Sequence, residues 1–276
     1  MSEISTQRTL WRAKSDANGR RIVSRRAIDI ILSLTSPLLL LLLWELLSRT
    51  HILDMRFFPA PSSIVSTFWK FASSGEMWLH LQASLLRIAI GFLLGAVPAV
   101  LLGLFLGLSR WARVIVNPII YALYPIPKVA ILPLVMLIFG LGDMSKFVVI
   151  AIAVFFLVVV NTTGGVLLID SIYFDVAKNF NASRRDFYLK VVLPGALPSM
   201  FTGLKLAMGV ALIVLVTAEF VGARDGIGVV IFEAWQVFAI ERLFVGLVII
   251  SFLGYALALL LEEVERFVIP WRRHRT

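Results

Sequence analysis

Long runs of apolar residues, separated by short polar segments, dominate the pattern along this 276-residue chain. A helix needs about 20 consecutive apolar residues to cross the hydrocarbon core of a bilayer. Five runs are long enough, and they occupy about residues 27–48, 86–108, 147–169, 196–220 and 243–262. We interpret each run as a membrane-spanning helix, and the pattern therefore predicts an all-α polytopic membrane protein.

A sixth apolar run, at about residues 116–140, contains four prolines and Lys128. Hydropathy alone allows a span, a re-entrant segment or an interfacial helix. Basic residues favour the cytoplasmic side of a membrane. With six spans and both termini in the cytoplasm, the internal segments hold 17 Lys and Arg and the external segments hold 6. We therefore predict six transmembrane helices, and the pattern leaves open whether this span is continuous or broken.

The same pattern divides the chain into three regions. A basic N-terminal segment, 1–26, precedes a transmembrane domain, 27–265, and a basic tail, 266–276, follows it. Within the domain, a charged loop at 170–195 separates the fourth and fifth spans. The first apolar run is longer than the core of a cleavable signal peptide, so we interpret it as an uncleaved span.

Composition agrees with a membrane protein and excludes several kinds of chemistry. The chain is 59% hydrophobic and 16% charged, whereas soluble domains average about 25% charged residues. The net charge of +9 lies between the apolar runs and not on one soluble domain, so we expect no nucleic-acid partner. Cysteine is absent, and the scattered His51, His80 and His274 predict no metal site.

Motifs of enzymatic chemistry are missing as well. The sequence has no P-loop, no nucleophile elbow and no zinc-protease motif, so we expect no enzyme activity in this chain. The stretch "GARDGIG" at 222–228 has the wrong spacing for a dinucleotide loop, and we interpret it as a glycine-rich external turn.

Polar residues inside the spans are candidates for a translocation pathway, because burying a polar group in a membrane is costly. The candidates are Asn161, Thr162, Lys205 and Glu219. The alternatives are that Lys205 and Glu219 extend to the membrane surface and that Asn161 and Thr162 bond to a neighbouring helix. Carboxylates near the middle of the spans are almost absent, which argues against an ion-coupled secondary transporter.

Small residues recur at a helical spacing in the second span. The pairs Gly91 and Gly95, and Gly103 and Gly107, are each four residues apart. Such spacing lets two helices approach closely in lipid. We expect packing within the chain, and a contact between two copies is the alternative.

The charged stretch 175–194 carries the signals of two capped helices. Asp175 lies near the predicted start of the first, and Asn181 suits the left-handed residue that ends many helices. Ser183 begins "SRRD", a capping-box pattern for a second helix, which we expect to stop at Pro194. These signals predict a helix–turn–helix on the cytoplasmic face, which either lies on lipid headgroups or docks a soluble partner.

The stretch resembles the EAA loop of bacterial ABC-importer permeases. That pattern is Glu-Ala-Ala, three residues, Gly, nine residues and Ile-x-Leu-Pro. The corresponding positions here are Asp175, Val176, Ala177, Asn181, Val191, Val192, Leu193 and Pro194. The stretches "IPKVAILPLVMLIFGLGDMSK", "NASRRDFYLKVVLPGALPSMFTGLKLAMGVALIVLVTAEF" and "ERFVIPW" further resemble the nitrate/sulfonate/taurine group of these permeases. The resemblance covers about residues 30–272.

This resemblance implies a coupling helix that docks in a groove of a cytoplasmic ATPase. It implies two permease copies, expected as a homodimer, two ATPases, and a periplasmic or lipid-anchored solute-binding protein. The ATPase would bind ATP, so no cofactor is expected in this chain. The residues expected to contact or position the ATPase are Asp175, Ala177, Asn181, Ala182, Ser183, Arg184 and Phe187, with Leu193 and Pro194 joining the loop to the fifth span.

The implied function is a permease subunit in the bacterial inner membrane that imports a small anion such as an aliphatic sulfonate, taurine or nitrate. One alternative is a permease of the same class for a thiamine-precursor-like or other heterocyclic or aromatic solute. Others are an ion-coupled secondary transporter and a membrane scaffold or receptor that transports nothing.

Overall fold

The computed structural model describes residues 32–33 and 35–271, which form helices and connecting loops. The predicted basic segment 1–26, the start of the first predicted span and the last five residues lie outside the described part. The chain divides into two compact units, Met1–Ser66 and Thr67–Thr276. In the first unit, helix α1 covers residues 35–49. The carboxylate of Glu45 there accepts hydrogen bonds from Arg49 at 2.5 Å and from the backbone of Ser62 at 3.0 Å.

Helix α2, Pro61–Ser73, begins in the first unit and ends in the second. The second unit contains all the helices that follow. They are α3 (Glu76–Leu108), α4 (Arg110–Leu123), a 3-10 helix (Lys128–Ile131), α5 (Leu132–Phe139), α6 (Asp143–Leu167), α7 (Ser171–Asn179), α8 (Arg184–Asp186), a π-helix (Phe187–Val192), α9 (Leu193–Phe220), α10 (Ile227–Gln236) and α11 (Ile240–Val268).

Four helices of the described residues are long and apolar enough to cross a membrane. They are α3, α6, the continuous helix Arg184–Phe220 and α11. A fifth candidate is the pair formed by α4 and Lys128–Phe139, which is bent by 85° at its break. The described residues thus contain four or five of the six predicted spans. The predicted span at about 116–140, which contains four prolines, is broken between α4 and the 3-10 helix.

Helix α3 begins at Glu76, well before the predicted start at residue 86. The sequence pattern placed the boundary too late because His80 and Ser84 are polar. In the folded chain Ser84 and Arg87 are buried and hydrogen-bonded, so these residues do not end the helix. The predicted ends of the second and fifth spans, at residues 108 and 220, agree with the ends of α3 and α9.

The core of the second unit lies where α3 and α9 pack against α6. At Gly103 an added Cβ would lie 2.6 Å from the Cβ of Thr162, and at Gly91 it would lie 2.7 Å from that of Ile150. Added Cβ atoms at Gly95 and Gly107 would overlap α6 as well. The predicted packing role of these glycines is therefore confirmed, since they allow α3 to approach α6 closely.

Candidate functional site

The charged stretch between α6 and α9 begins with helix α7, which starts earlier than expected. The carboxylate of Asp170 accepts a hydrogen bond from the backbone of Ile172 at 3.0 Å, so Asp170 is the N-cap. The prediction that Asp175 lies near the helix start is wrong, because Asp175 is an exposed residue in the middle of α7. The Asp170 cap places the start of α7 at Ser171, one turn before Asp175.

The turn after α7 follows the sequence prediction. Asn181 has a φ of 48°, in the left-handed region. The backbone of Ala182 donates to the carbonyl of Ala177 at 2.9 Å, and that of Asn181 donates to Lys178 at 3.0 Å. This pair of bonds is the Schellman arrangement that satisfies carbonyls at a helix end. Asn181 therefore takes the place that glycine usually holds, as its backbone tolerance predicts.

Ser183 caps the second helix, as predicted. Its hydroxyl oxygen accepts from the backbone of Asp186 at 3.1 Å and donates to the carboxylate of Asp186 at 2.7 Å. Asp186 also forms an ion pair with Lys190 at 2.6 Å, four residues further along. The start of this helix is thus defined by side chains from three positions.

The prediction that this helix stops at Pro194 is wrong. The chain continues as one helix from Arg184 to Phe220, through a π-helix at Phe187–Val192. In that wider turn the backbone of Leu193 donates to Tyr188, five residues back. Pro194 then falls in the first turn of α9, where a missing N–H is tolerated. The π-helix thus lets the second helix join α9 directly.

The nine residues expected at an ATPase interface fall into two groups in the structure. One group is exposed: Asp175, Asn181, Ala182, Ser183 and Arg184. The other group is buried or half-buried: Ala177, Phe187, Leu193 and Pro194.

The aromatic ring of Phe187 anchors the second group. It lies 5.6 Å from the ring of Phe174 in α7. Both rings pack on a small core that contains Val166 of α6 and Met200 of α9. This core holds the charged stretch 170–194 against α6 and α9, while the side chains of the first group stay exposed.

The opposite ends of α6 and α9 carry a polar cluster that the sequence analysis did not predict. We call it the Arg87 cluster, and its members are Ser84, Arg87, Asp143, Glu219 and Asp225. Arg87 is 4% exposed and Glu219 is 1% exposed. The Nη1 atom of Arg87 lies 2.9 Å from Oε1 of Glu219, to which Ser84 also donates at 2.8 Å.

The guanidinium of Arg87 is shared among three acidic residues. Its Nε atom donates to Asp143 at 2.8 Å, at the start of α6. Its Nη1 atom donates to the backbone carbonyl of Asp225 at 2.6 Å, and Nη2 donates to the Asp225 carboxylate. A buried guanidinium needs such partners, because an unpaired charge in a dry interior is strongly destabilising. The cluster therefore ties α3, α6, α9 and the loop after α9 together.

Two glycines of "GARDGIG" pack against Glu219 of the Arg87 cluster. The backbone of Gly228 donates to Glu219 at 2.8 Å, and that of Gly226 donates to Nδ1 of His80 at 3.0 Å. Gly226 has a φ of 123°, and a Cβ there would overlap the Glu219 carboxylate. The stretch forms a turn and the start of α10, as expected for a glycine-rich turn, and it wraps closely over Glu219.

The four predicted pathway residues do not lie together. Glu219 belongs to the Arg87 cluster, and Lys205 forms an ion pair with Glu265 of α11 at 2.5 Å. The Nδ2 atom of Asn161 donates to Leu157 in its own helix at 2.8 Å. Thr162 is buried against Gly103. Asn161 bonds within its own helix and Thr162 only packs between helices, so a hydrogen bond to a neighbouring helix is not confirmed for either residue. A pathway role for the four residues stays a prediction.

A cavity of about 590 Å³ lies beside the break between α4 and the 3-10 helix. Lys128 is the one charged residue in its lining. The Nζ atom of Lys128 donates to the carbonyls of Leu123, Tyr124 and Ile126 at 2.9, 3.0 and 2.7 Å. It also lies 4.5 Å from the ring centroid of Phe156.

A model of a known protein family matches more than half of the chain. Residues 99–270 match the family described as "Binding-protein-dependent transport system inner membrane component". The chain belongs to this family. The match includes the stretch 170–194, Lys128, Glu219 and Asp225, whereas Ser84 and Arg87 precede it.

Individual relatives cover most of the permease. It is 32% identical to SsuC, a proposed aliphatic sulfonates transport permease of Bacillus subtilis (strain 168), over 92% of each chain. It is 31% identical to the taurine transport system permease TauC of Escherichia coli (strain K12), over 88% of this chain and 90% of TauC. It is 29% identical to the nitrate import permease NrtB of Synechococcus elongatus, over 84% of this chain and 88% of NrtB. The permease thus belongs to the sulfonate/taurine/nitrate group of ABC permeases, as its sequence motifs indicated.

The permease sequence contains a weak indication of the Arg87 cluster. Arg87 stands in the second apolar run and Glu219 near the end of the fifth. Two opposite charges in separate spans indicate a possible pair, because each alone would be costly in a membrane. Glu219 was among the predicted pathway residues and Arg87 was not, so the pair was not predicted.

Proposed function

We propose that this permease is the membrane-spanning subunit of an ATP-driven importer and forms the path of a small anion such as an aliphatic sulfonate, taurine or nitrate. The names of its relatives support this class of solute. The observation that carries the proposal is the exposed, doubly capped stretch 170–194, which continues without a break into α9.

The exposed residues of this stretch contact a cytoplasmic ATPase. Asn181 sets the turn, and Arg184 presents a charged side chain beside it. Phe187 transmits force from the docked surface to the membrane helices, since it packs on Phe174 and joins the helix that ends at Phe220. Movement of the ATPases then shifts the permease between inward- and outward-facing states.

The complete importer contains two permease copies as a homodimer, two ATPases and a periplasmic or lipid-anchored solute-binding protein. The permease lies in the bacterial inner membrane with six spans and with both termini in the cytoplasm. The helices Arg110–Leu123 and Lys128–Phe139 together form one broken span in this arrangement. ATP is bound by the ATPases, so this chain needs no cofactor of its own.

The proposal is tested by expressing the permease with a candidate ATPase and solute-binding protein and by measuring uptake into proteoliposomes. Asn181→Val places a β-branched residue at a φ of 48°, and Arg184→Glu reverses a charge on the docking surface. We expect the double variant to lose at least nine-tenths of ATPase binding and of ATP-dependent uptake, roughly the effect of 1.4 kcal/mol or more.

Two control variants separate docking from general damage. Asn181→Gly keeps the left-handed turn, so we expect it to retain ATPase binding. Arg224→Glu reverses an exposed charge at the opposite end of α9, so it should leave ATPase binding unchanged. Full uptake by the Asn181→Val, Arg184→Glu variant would reject the docking role. Uptake by the permease alone, driven by an ion gradient, would instead favour a secondary transporter.

A further inference from the structure

The cavity beside Lys128 lies against the middle of the long apolar helices α3 and α6. Its lining includes Leu94, near the centre of α3, and Phe155, near the centre of α6. Both helices are long enough to cross the bilayer. A site at this depth is inaccessible from either surface unless a path leads to it, so its chemistry bears on transport.

Irregular backbone forms one wall of this cavity. Residues 124–127 separate α4 from the 3-10 helix, and the two parts are bent by 85°. These residues are exposed on the described chain. Non-helical backbone at membrane depth is stable only where protein covers it or where it lines a water-filled space, because lipid cannot bond to its polar groups. The break therefore indicates a space closed off from lipid, which water fills or protein covers.

Lys128 brings a positive charge without a counter-charge into this space. Its three hydrogen bonds all go to neutral carbonyls, and the ion pairs found within residues 35–271 do not include it. Lys205, by contrast, is paired with Glu265. A cation at membrane depth is costly, and an anion would form stronger bonds with its ammonium group than neutral carbonyls do.

The remaining walls are apolar. Ile152, Phe155 and Phe156 come from α6, Leu123 is the last residue of α4, and Ile126 comes from the break. All of them lie around the same cavity of about 590 Å³, which is within the usual range for small-molecule sites. One cation among apolar walls matches a ligand with one anionic group on a short hydrocarbon body.

We propose that Lys128 binds the anionic group of the transported solute, and that Ile152, Phe155 and Phe156 contact its hydrocarbon part. This inference rests on the proposed function, because it takes the solute to be a small anion. The ammonium group exchanges one backbone carbonyl for an oxygen of the anion when the solute binds. The solute class that fits the whole cavity is a short-chain alkanesulfonate.

Lys128 also caps the last carbonyls of α4, and the experiment must separate this role from anion binding. The full-length permease is placed in lipid nanodiscs, and equilibrium binding of labelled pentane-1-sulfonate, taurine and nitrate is measured. We expect Lys128→Met to weaken pentane-1-sulfonate binding at least tenfold, and Lys128→Arg to retain it within about threefold. A purely capping role would change the thermal transition without changing the affinity.

Ile152→Phe gives a second, independent measurement, since it fills the cavity and leaves Lys128 in place. We expect it to weaken binding of pentane-1-sulfonate at least tenfold and to spare nitrate. The matched control is Arg242→Met with Glu76→Met, which removes a cation together with its partner outside the cavity lining and should keep affinity. If Lys128→Met does not fold, Ile152→Phe and Lys128→Arg still decide the outcome.

The result that overturns the inference is equal affinity in the wild type and in Ile152→Phe or Lys128→Met. Absence of saturable binding of all three anions to the wild type overturns it too. Uptake with the ATPase and binding protein is measured separately. If the wild type shows ATP-dependent uptake and Lys128→Met does not change it, this site is rejected and the proposed function is kept. If ATP-dependent uptake is absent, the proposed function itself is rejected.

Discussion

Arg87 and Glu219 form a buried ion pair at 2.9 Å although they are 132 residues apart in the chain. The side chain of Arg87 is 5% exposed and that of Glu219 is fully buried. Because neither charge can reach water, each depends on the other and on the polar groups around them.

Removing one charge of this pair should destabilise the permease strongly. We expect Arg87→Met to lower the free energy of unfolding by about 3–5 kcal/mol, because it leaves Glu219 buried and unpaired. The midpoint of thermal unfolding, measured in detergent by size-exclusion chromatography after heating, should fall accordingly. The double variant Arg87→Met, Glu219→Gln should recover part of the loss, since it removes the second charge as well.

The control for that experiment is an exposed pair of the same type. Arg242 contacts Glu76 at 3.0 Å, with side chains 40% and 57% exposed. Arg242→Met should change stability by no more than about 1 kcal/mol, because water already solvates both partners. Equal effects of the two methionine variants would contradict the assignment of Arg87 as a structural centre.

Gly226 should not tolerate a side chain. An alanine Cβ would overlap the Glu219 carboxylate, and the φ of 123° disfavours any L residue. We expect Gly226→Ala to lower stability by about 2 kcal/mol or more. The thermal midpoint of the purified permease measures the effect.

Gly209 offers the matched substitution, since a Cβ there meets nothing within 4 Å in this chain. Gly209→Ala should leave the thermal midpoint unchanged or raise it slightly, because alanine favours a helix over glycine by up to about 1 kcal/mol. A Gly226→Ala variant as stable as Gly209→Ala would show that the loop moves away from Glu219 at little cost.

The ion pair between Lys205 and Glu265 should hold α9 to α11. Its 2.5 Å contact joins residues 60 positions apart. We expect Lys205→Met to destabilise the permease by about 1–3 kcal/mol, since the half-buried carboxylate loses its charged donor. The exchange Lys205→Glu, Glu265→Lys should restore most of the thermal midpoint; if it behaves like the single variant, the pair is not the source of the effect.

Ser183 should control the start of the second helix in the charged stretch 170–194. Ser183→Ala removes the hydroxyl that accepts from the backbone of Asp186, a loss of about 1 kcal/mol for a typical N-cap. Hydrogen exchange of the amides at 186–188 should become about fivefold faster. Ser171→Ala serves as the control, because Asp170 and not Ser171 caps α7; equal exchange in both variants would contradict the capping role.

The helix ends of the charged stretch 170–194 show what the local sequence can predict and where such a prediction fails. Asn181 and Ser183 act as expected because a backbone conformation and an N-cap depend on a few neighbouring residues. Pro194 was predicted to end the helix, and the π-helix before it was not foreseen. Packing gives a reason for it, since Phe187 and Val192, five residues apart, both pack on the core that contains Met200, and one π-helical turn places that spacing on one face.

The sequence by itself determined that this chain is an all-helical membrane permease, because apolar run length, basic-residue placement and the spaced loop motif are properties of the chain read in order. The tertiary structure alone decided which charges meet. Arg87 pairs with Glu219, Lys205 pairs with Glu265, and Lys128 lines a cavity at the break without an ion pair to any residue that the structure describes. The reason is physical: the cost of a charge in a membrane depends on which helices pack beside it, and that packing joins residues far apart in the chain.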